Sequence, residues 1–216
     1  MDNVIPRLYA TAPQPLSFAP SVGVRSFLLE RDEGNLLVYS SNTVKREVDF
    51  IRRKGGILQQ YLNHGHEAWA AEAAGAWVAS TFDAPVYAHE NEKEEVSRAY
   101  DLAGTFSGRH TLGDDFEIIP VPGHTSGTTA FLWDTGEHRS LFTGDSIVLE
   151  KDEWVAALLD SSDREEYIKS LELIRGLEFD VIVPWAASLD GSYYGFTDKS
   201  DIGRRIDEML ERMRRE

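Results

Sequence analysis

Tyr61-Leu62-Asn63-His64-Gly65-His66-Glu67-Ala68-Trp69 is the stretch that decides how the rest of the chain is read. The residues before it, Ile57 to Leu62, are largely apolar, with Gln59 and Gln60 as the interruption. The residues after it, Ala70 to Ala79, are rich in alanine. The pattern predicts a strand, two imidazoles at its C-terminal end, and then a helix. In extended backbone, residues i and i+2 face the same way, so His64 and His66 can converge on one metal ion. Gly65 keeps the turn between them uncrowded. Taken alone, an H-x-H pair is more often two surface histidines at a strand end.

Two later stretches shift that balance. Pro120-Val121-Pro122-Gly123-His124-Thr125-Ser126-Gly127 is a turn punctuated by glycine and proline, placed after the apolar strand Phe116 to Val121. Leu141-Phe142-Thr143-Gly144-Asp145-Ser146 is an apolar strand ending in Gly-Asp. Each sets one metal-competent side chain at a strand end.

The set resembles the metallo-β-lactamase-fold hydrolase superfamily. Its pattern is H-x-H-x-D-H, a P-G-H-T-x-G turn, a G-D pair and a late strand ending in P-G-H. The P-G-H-T-S-G turn and Gly144-Asp145 are intact here, and His64 and His66 match the first motif. Ala68 stands where the family has aspartate and Trp69 where it has histidine. The late strand Val181 to Pro184 runs into Trp185-Ala186, without the last histidine. The resemblance covers nearly the whole chain and implies a four-layer αββα sandwich, an α+β fold, expected as a single domain over residues 1–216. It also implies that His64, His66 and His124 bind one ion and that Asp145 reaches toward a second. The residues missing at 68, 69 and 186 are those exclusive to the second ion. The losses therefore fall on one set, and the expectation is a single divalent ion on His64, His66, His124 and Asp145. Zinc is the first choice for such a set, and iron or manganese are compatible with it. The competing expectation is a metal-free protein in which His64, His66 and Asp145 serve as hydrogen-bonded structure at the sheet mouth.

Composition narrows the function. The chain has 216 residues, enough for one sizeable core. A net charge of −15 disfavours nucleic acid and anionic membrane as partners, because phosphate binding needs clustered Lys and Arg. With no cysteine there is neither a disulfide nor a thiolate ligand. The first residues lack a basic segment followed by an apolar one, and no apolar run approaches ~18 residues. A cytoplasmic protein with a small-molecule substrate or ligand is expected; the oligomeric state is left open.

Read in order, residues 1–20 carry four prolines and are expected to wrap the surface. Val24 to Glu30 and Leu36 to Ser40 read as a hairpin about Gly34. Thr43 is placed to cap a helix with Val44, Val48 and Ile51 on one face, ended by Gly55-Gly56. The strand to His64 then completes a strand–helix–strand unit. Further on come a short strand Pro85 to Ala88, a helix Glu92 to Tyr100 capped by Asn91, and hairpins about 113–115 and 134–137. A capped helix from Asp163 carries Ile168, Leu171 and Ile174. A last helix, Arg204 to Arg214, follows the strand Val181 to Val183.

Asp145 is the carboxylate best placed for catalysis. Glu67, one residue past His66, is expected to point away from both histidines and to serve the helix N-terminus. Trp69, His89, Trp185 and Tyr193 are candidates to line a substrate pocket, with packing as the alternative for each. Trp69 is also expected to fill the volume of a second ion with its indole. Two functions survive: a mononuclear metal-dependent hydrolase of a small ester, thioester, lactone or phosphoester, and a non-catalytic relative that binds a ligand or partner.

Overall fold

A computed structural model describes residues 1–70, 74–151 and 153–215. The chain divides into two compact units, Met1–Ser107 and Gly108–Glu216.

The first unit is built on a seven-stranded sheet. Asp2–Ile5, Leu8–Ala10, Phe27–Leu29 and Leu36–Val38 pair antiparallel in succession. Leu36–Val38, Gln59–Tyr61, Val86–His89 and Leu102–Phe106 then pair parallel. The parallel part needs crossovers, because neighbouring strands run the same way. Helix α1 (Val48–Arg53) supplies the first, α2 (His66–Ala70) and α3 (Gly75–Phe82) the second, and α4 (Lys93–Val96) the third. Leu28 and Leu37 from the sheet meet Val44, Ile51 and Val78 in one buried cluster. Leu62, Val86 and Ala88 meet Ala68, Val96 and Tyr100 in another. Carboxyl ends of parallel strands are where open α/β sheets place ligands, and the His64 turn follows one such end.

The second unit is built on a sheet in the order His110–Leu112, Phe116–Pro120, Thr129–Asp134, Arg139–Gly144, Val181–Pro184 and Gly195–Phe196. Within this sheet, among the described residues, only the Arg139–Gly144 and Val181–Pro184 pair is parallel, and α5 (Arg164–Gly176) lies in its crossover. Asp163 caps α5 by accepting the N–H of Glu166 at 3.1 Å. The last helix, α6 (Lys199–Arg215), buries Ile202, Ile206, Met209, Leu210 and Met213 in a cluster shared with Leu171 and Ile174 of α5.

Several elements differ from expectation. Residues 1–20 do not wrap the surface; they form three strands and begin a fourth. Apolar residues alternate too briefly there to stand out, yet Leu8 and Ala10 are fully buried. Thr43 caps no α-helix: it lies in a 3-10 turn, Asn42–Arg46, and gives its hydroxyl hydrogen to Ala12 O. The helix expected over Ala70 to Ala79 is described only as α2 and α3, since residues 71–73 lie outside the described residues. Asn91 is not the cap before α4. His89 Nδ1 accepts the Asn91 N–H at 3.2 Å and caps the 3-10 turn Glu90–Glu92. A strand at Leu102–Phe106 has no counterpart in the sequence reading.

Candidate metal centre

His64 and His66 are presented by a turn rather than by alternating strand geometry. The strand ends at Tyr61, and His66 is already the first residue of α2. The two rings meet edge to face, 4.9 Å between centroids. The backbone leaves the sheet because its amides turn inward. Glu67 Oε1 accepts the N–H of Asn63 at 2.6 Å and that of His64 at 3.4 Å. Glu67 thus does not point away from the histidines. It is fully buried beneath them, with Oε1 3.9 Å from His64 Nδ1. Burial pushes its carboxyl up to about 8, opposed by His64 and by the amides of Asn63, Ser40 and His64. Gly65 N–H goes to a second buried carboxylate, Glu92 Oε2, at 2.7 Å.

His124 is held by a different frame. Its Nδ1 is 2.6 Å from Ala157 O. A carbonyl only accepts, so the proton sits on Nδ1 and the lone pair on Nε2. Such a second contact fixes ring orientation and nominates the ligating nitrogen. Ser162 Oγ donates to His124 O, the Asp163 N–H to Gly123 O, and Ser170 Oγ to Pro122 O. Gly123 has φ +142°, and a Cβ there would meet Tyr167 Cα at 2.4 Å. The turn therefore needs glycine on two counts.

Asp145 follows Gly144, which has φ +56° and turns the chain off the strand. Tyr167 fixes this turn, its hydroxyl lying 3.0 Å from Asp145 O and 2.8 Å from Ser146 O. Burial, then the nearby Asp145 carboxylate, raises the Tyr167 phenol well above its usual range. One side chain on α5 thereby meets both the P-G-H turn and the G-D turn. His124 Nε2 and Asp145 Oδ2 stand 3.8 Å apart, beyond hydrogen-bond reach. Two atoms on one tetrahedral ion at about 2.0 Å each would stand roughly 3.3 Å apart. His64 and His66 thus stand together in the first unit, and His124 and Asp145 stand together in the second. Three imidazole nitrogens and one carboxylate oxygen make a donor set that fits a divalent ion.

The pocket-lining candidates differ in their surroundings. Trp69 does not fill a buried volume: it is 46% exposed, its ring 5.6 Å from His66 and 5.5 Å from Phe18, itself 65% exposed at the tip of the hairpin formed by Gln14–Leu16 and Ala19–Val24. The alanine next to it, Ala68, carries the inward face of α2 instead. His89 is buried, with Nδ1 on Asn91 and Nε2 on Ser107 O at 3.2 Å. Trp185 is buried, and its backbone N–H donates to Gly144 O at 3.3 Å. Tyr193 packs on the core of the second unit and against Tyr194. Ala186 is buried in the strand Ala186–Ser188.

Sequence reasoning missed Glu92 and Tyr167 and misplaced Glu67. For Glu67 a signal existed: a carboxylate in the first turn of a helix can reach back to amides that the helix leaves without partners.

The fold and the histidine–aspartate set define a class. The chain belongs to the metallo-β-lactamase superfamily, whose sequence model matches residues 60–186. It is 30% identical over 116 residues to the uncharacterized protein YmaE of Bacillus subtilis (strain 168). That match covers 52% of this chain and 41% of the relative's length. Among solved structures, the DIM-1 metallo-β-lactamase superposes with a TM-score of 0.76 at 16% identity, covering 98% of this chain and 95% of the other. FIM-1 of Pseudomonas aeruginosa, in its mono-zinc form, gives 0.73 at 13%, covering 97% and 93%. A metallo-β-lactamase family protein of Thermus thermophilus gives 0.65 at 16%, covering 99% and 81%. These likenesses establish the fold, the αββα sandwich expected from the sequence.

Proposed function

We propose that the chain is a mononuclear metal-dependent hydrolase, with one ion held by His64, His66, His124 and Asp145. The observation that carries this is that the family match over residues 60–186 spans all four residues, with His64 beside His66 in one unit and His124 beside Asp145 in the other. Zinc is the ion assigned, on the three-imidazole, one-carboxylate donor set. A divalent ion there supplies Lewis-acid polarisation of a carbonyl or phosphoryl oxygen and makes water nucleophilic near neutral pH.

The chain's own residues then divide the work. His124 offers Nε2 because Nδ1–H is committed to Ala157. With Asp145 set back from the ion, the three histidines would leave one position open to water, and the Asp145 carboxylate would accept that water's proton. It is the carboxylate assigned this role because position 68 is alanine and Glu67 is engaged by backbone amides. Trp69 and Phe18, exposed and in contact next to His66, offer an apolar surface to a small ester, thioester, lactone or phosphoester.

A single ion is supported by the residues at the family's second-ion positions. Ala68, Trp69 and Ala186 carry no side-chain ligand atom. Glu67 and His89, the two side chains that could have compensated, are engaged by the backbone of Asn63, His64, Asn91 and Ser107. The mono-zinc form of FIM-1 is a precedent for one ion in this fold.

Alanine at 68 also favours a second reading, a ligand- or partner-binding relative without turnover, because it removes a carboxylate from the family pattern. A screen of ester, thioester, lactone and phosphodiester substrates with Zn²⁺, Mn²⁺ and Fe²⁺ separates the two. The hydrolase reading expects turnover that His124→Ala abolishes together with metal. Turnover absent throughout, or unaffected by His124→Ala, selects the binding module.

A further inference from the structure

The H-G-H turn presents three successive backbone N–H groups, those of Asn63, His64 and Gly65, to two buried carboxylates. Glu67 Oε1 takes the first at 2.6 Å and the second at 3.4 Å, and Glu92 Oε2 takes the third at 2.7 Å. Asn63, His64, Glu67 and Glu92 are all buried. Successive N–H groups that point into one concavity form an anion site. Here the protein's own carboxyl groups take those donors, Glu67 the first two and Glu92 the third. A buried carboxylate is costly unless it is hydrogen-bonded, and the amide bonds it receives fix the turn in return.

The arrangement leaves little slack. A Cβ at Gly65 would meet Glu92 Oε2 at 2.7 Å and Glu95 Cγ at 2.9 Å. The φ of Gly65 lies outside the left-handed region, so close approach to Glu92 is what requires glycine there. Glu92 is itself set by the 3-10 turn that His89 caps. His89 therefore acts on the turn through Glu92.

We propose that Glu67 and Glu92 are positioning residues, a carboxylate cradle that holds His64 and His66 in ligating form from behind. This rests on the reading of these histidines as ligands. Contacts of this kind, outside the ligand set, change metal affinity by about 10- to 100-fold when removed. Reach, rather than charge, is the property the cradle needs at position 92. An amide oxygen in Glu92→Gln still accepts the Gly65 N–H, whereas Glu92→Asp keeps the charge but is shorter by one methylene.

The test is zinc titration of the metal-stripped protein against a competing chelator. Amide hydrogen exchange at residues 63–65 and thermal unfolding are measured on the same metal-free samples. Glu92→Asp should weaken zinc about tenfold or more and speed exchange at Gly65, while Glu92→Gln stays within about threefold of the parent. Glu67→Gln should likewise stay near the parent, and Glu67→Ala should lose affinity and protection at Asn63 and His64. Zinc affinity unchanged in Glu92→Asp and Glu67→Ala, with only the melting temperature lowered, overturns the cradle and leaves the metal reading intact. Parent protein that takes up no zinc overturns both, and normal exchange protection at 63–65 in that protein identifies the ligand assignment as the failure.

Discussion

At the scale of single residues, small side chains decide the site. Gly123 has a left-handed φ and lies against Tyr167, so Gly123→Ala must both strain the backbone and displace α5. A loss of about 3 kcal/mol or more is expected from that combination, read by denaturant unfolding, together with loss of metal from the P-G-H turn. Tyr167→Phe removes only the hydroxyl that serves the Asp145 and Ser146 carbonyls, and should cost about 1–3 kcal/mol by the same measurement. Trp69→Ala is the contrasting case. The indole is half exposed, so stability should change by about 1 kcal/mol or less, while KM for substrates with an apolar group rises. The candidate ligands stood out in the sequence because each sits in a turn with a glycine beside it. The residues behind them did not. Glu92 reaches Gly65 across 27 positions, and no local spacing announces a contact of that separation.

At the scale of elements, what could be read was what is periodic or capped. The parallel pairing of Leu36–Val38 with Gln59–Tyr61 followed from a strand, a helix and a strand in succession. Helix α5 followed from Asp163 and its apolar positions. The N-terminal strands escaped notice because they are only three to four residues long over Asp2–Ile5, Leu8–Ala10 and Gln14–Leu16. Their placement is fixed by tertiary partners, one of which can be tested. Glu30 accepts hydrogen bonds from Lys54 at 2.9 Å and Tyr9 at 2.8 Å, tying two strands to the end of α1. Desolvation raises the Glu30 carboxyl, but the bonds from Lys54 and Tyr9 and the charges of Lys54 and Arg7 outweigh it, and the net shift is downward. A carboxylate lowered in the folded state adds stability above its unfolded pKa of about 4.3, and loses it as pH falls through the folded value. Glu30→Gln should therefore melt below the parent at pH 7, and the gap should close as pH falls below about 4. A gap that persists in acid would show that shape rather than charge holds this corner.

At the scale of the whole molecule, two features meet. The chain has the metallo-β-lactamase fold, and its sequence keeps the residues of one of the family's two ligand sets while losing those exclusive to the other. The fold was legible because its ligand turns keep family order along the sequence. The environment of the missing set was not: Trp69 reads as a plug in one dimension, yet lies half exposed beside Phe18. Among the described residues no helix is long and apolar enough to cross a membrane. Restoring the family pattern with Ala68→Asp, Trp69→His and Ala186→His should raise metal capacity toward two ions per chain. The most direct test of the central claim is elemental analysis of the unmodified protein, loaded with excess zinc and then freed of loosely held ions. One zinc per chain, falling to none in His124→Ala, is the result expected; two zinc ions per chain, or one that survives His124→Ala, would contradict it.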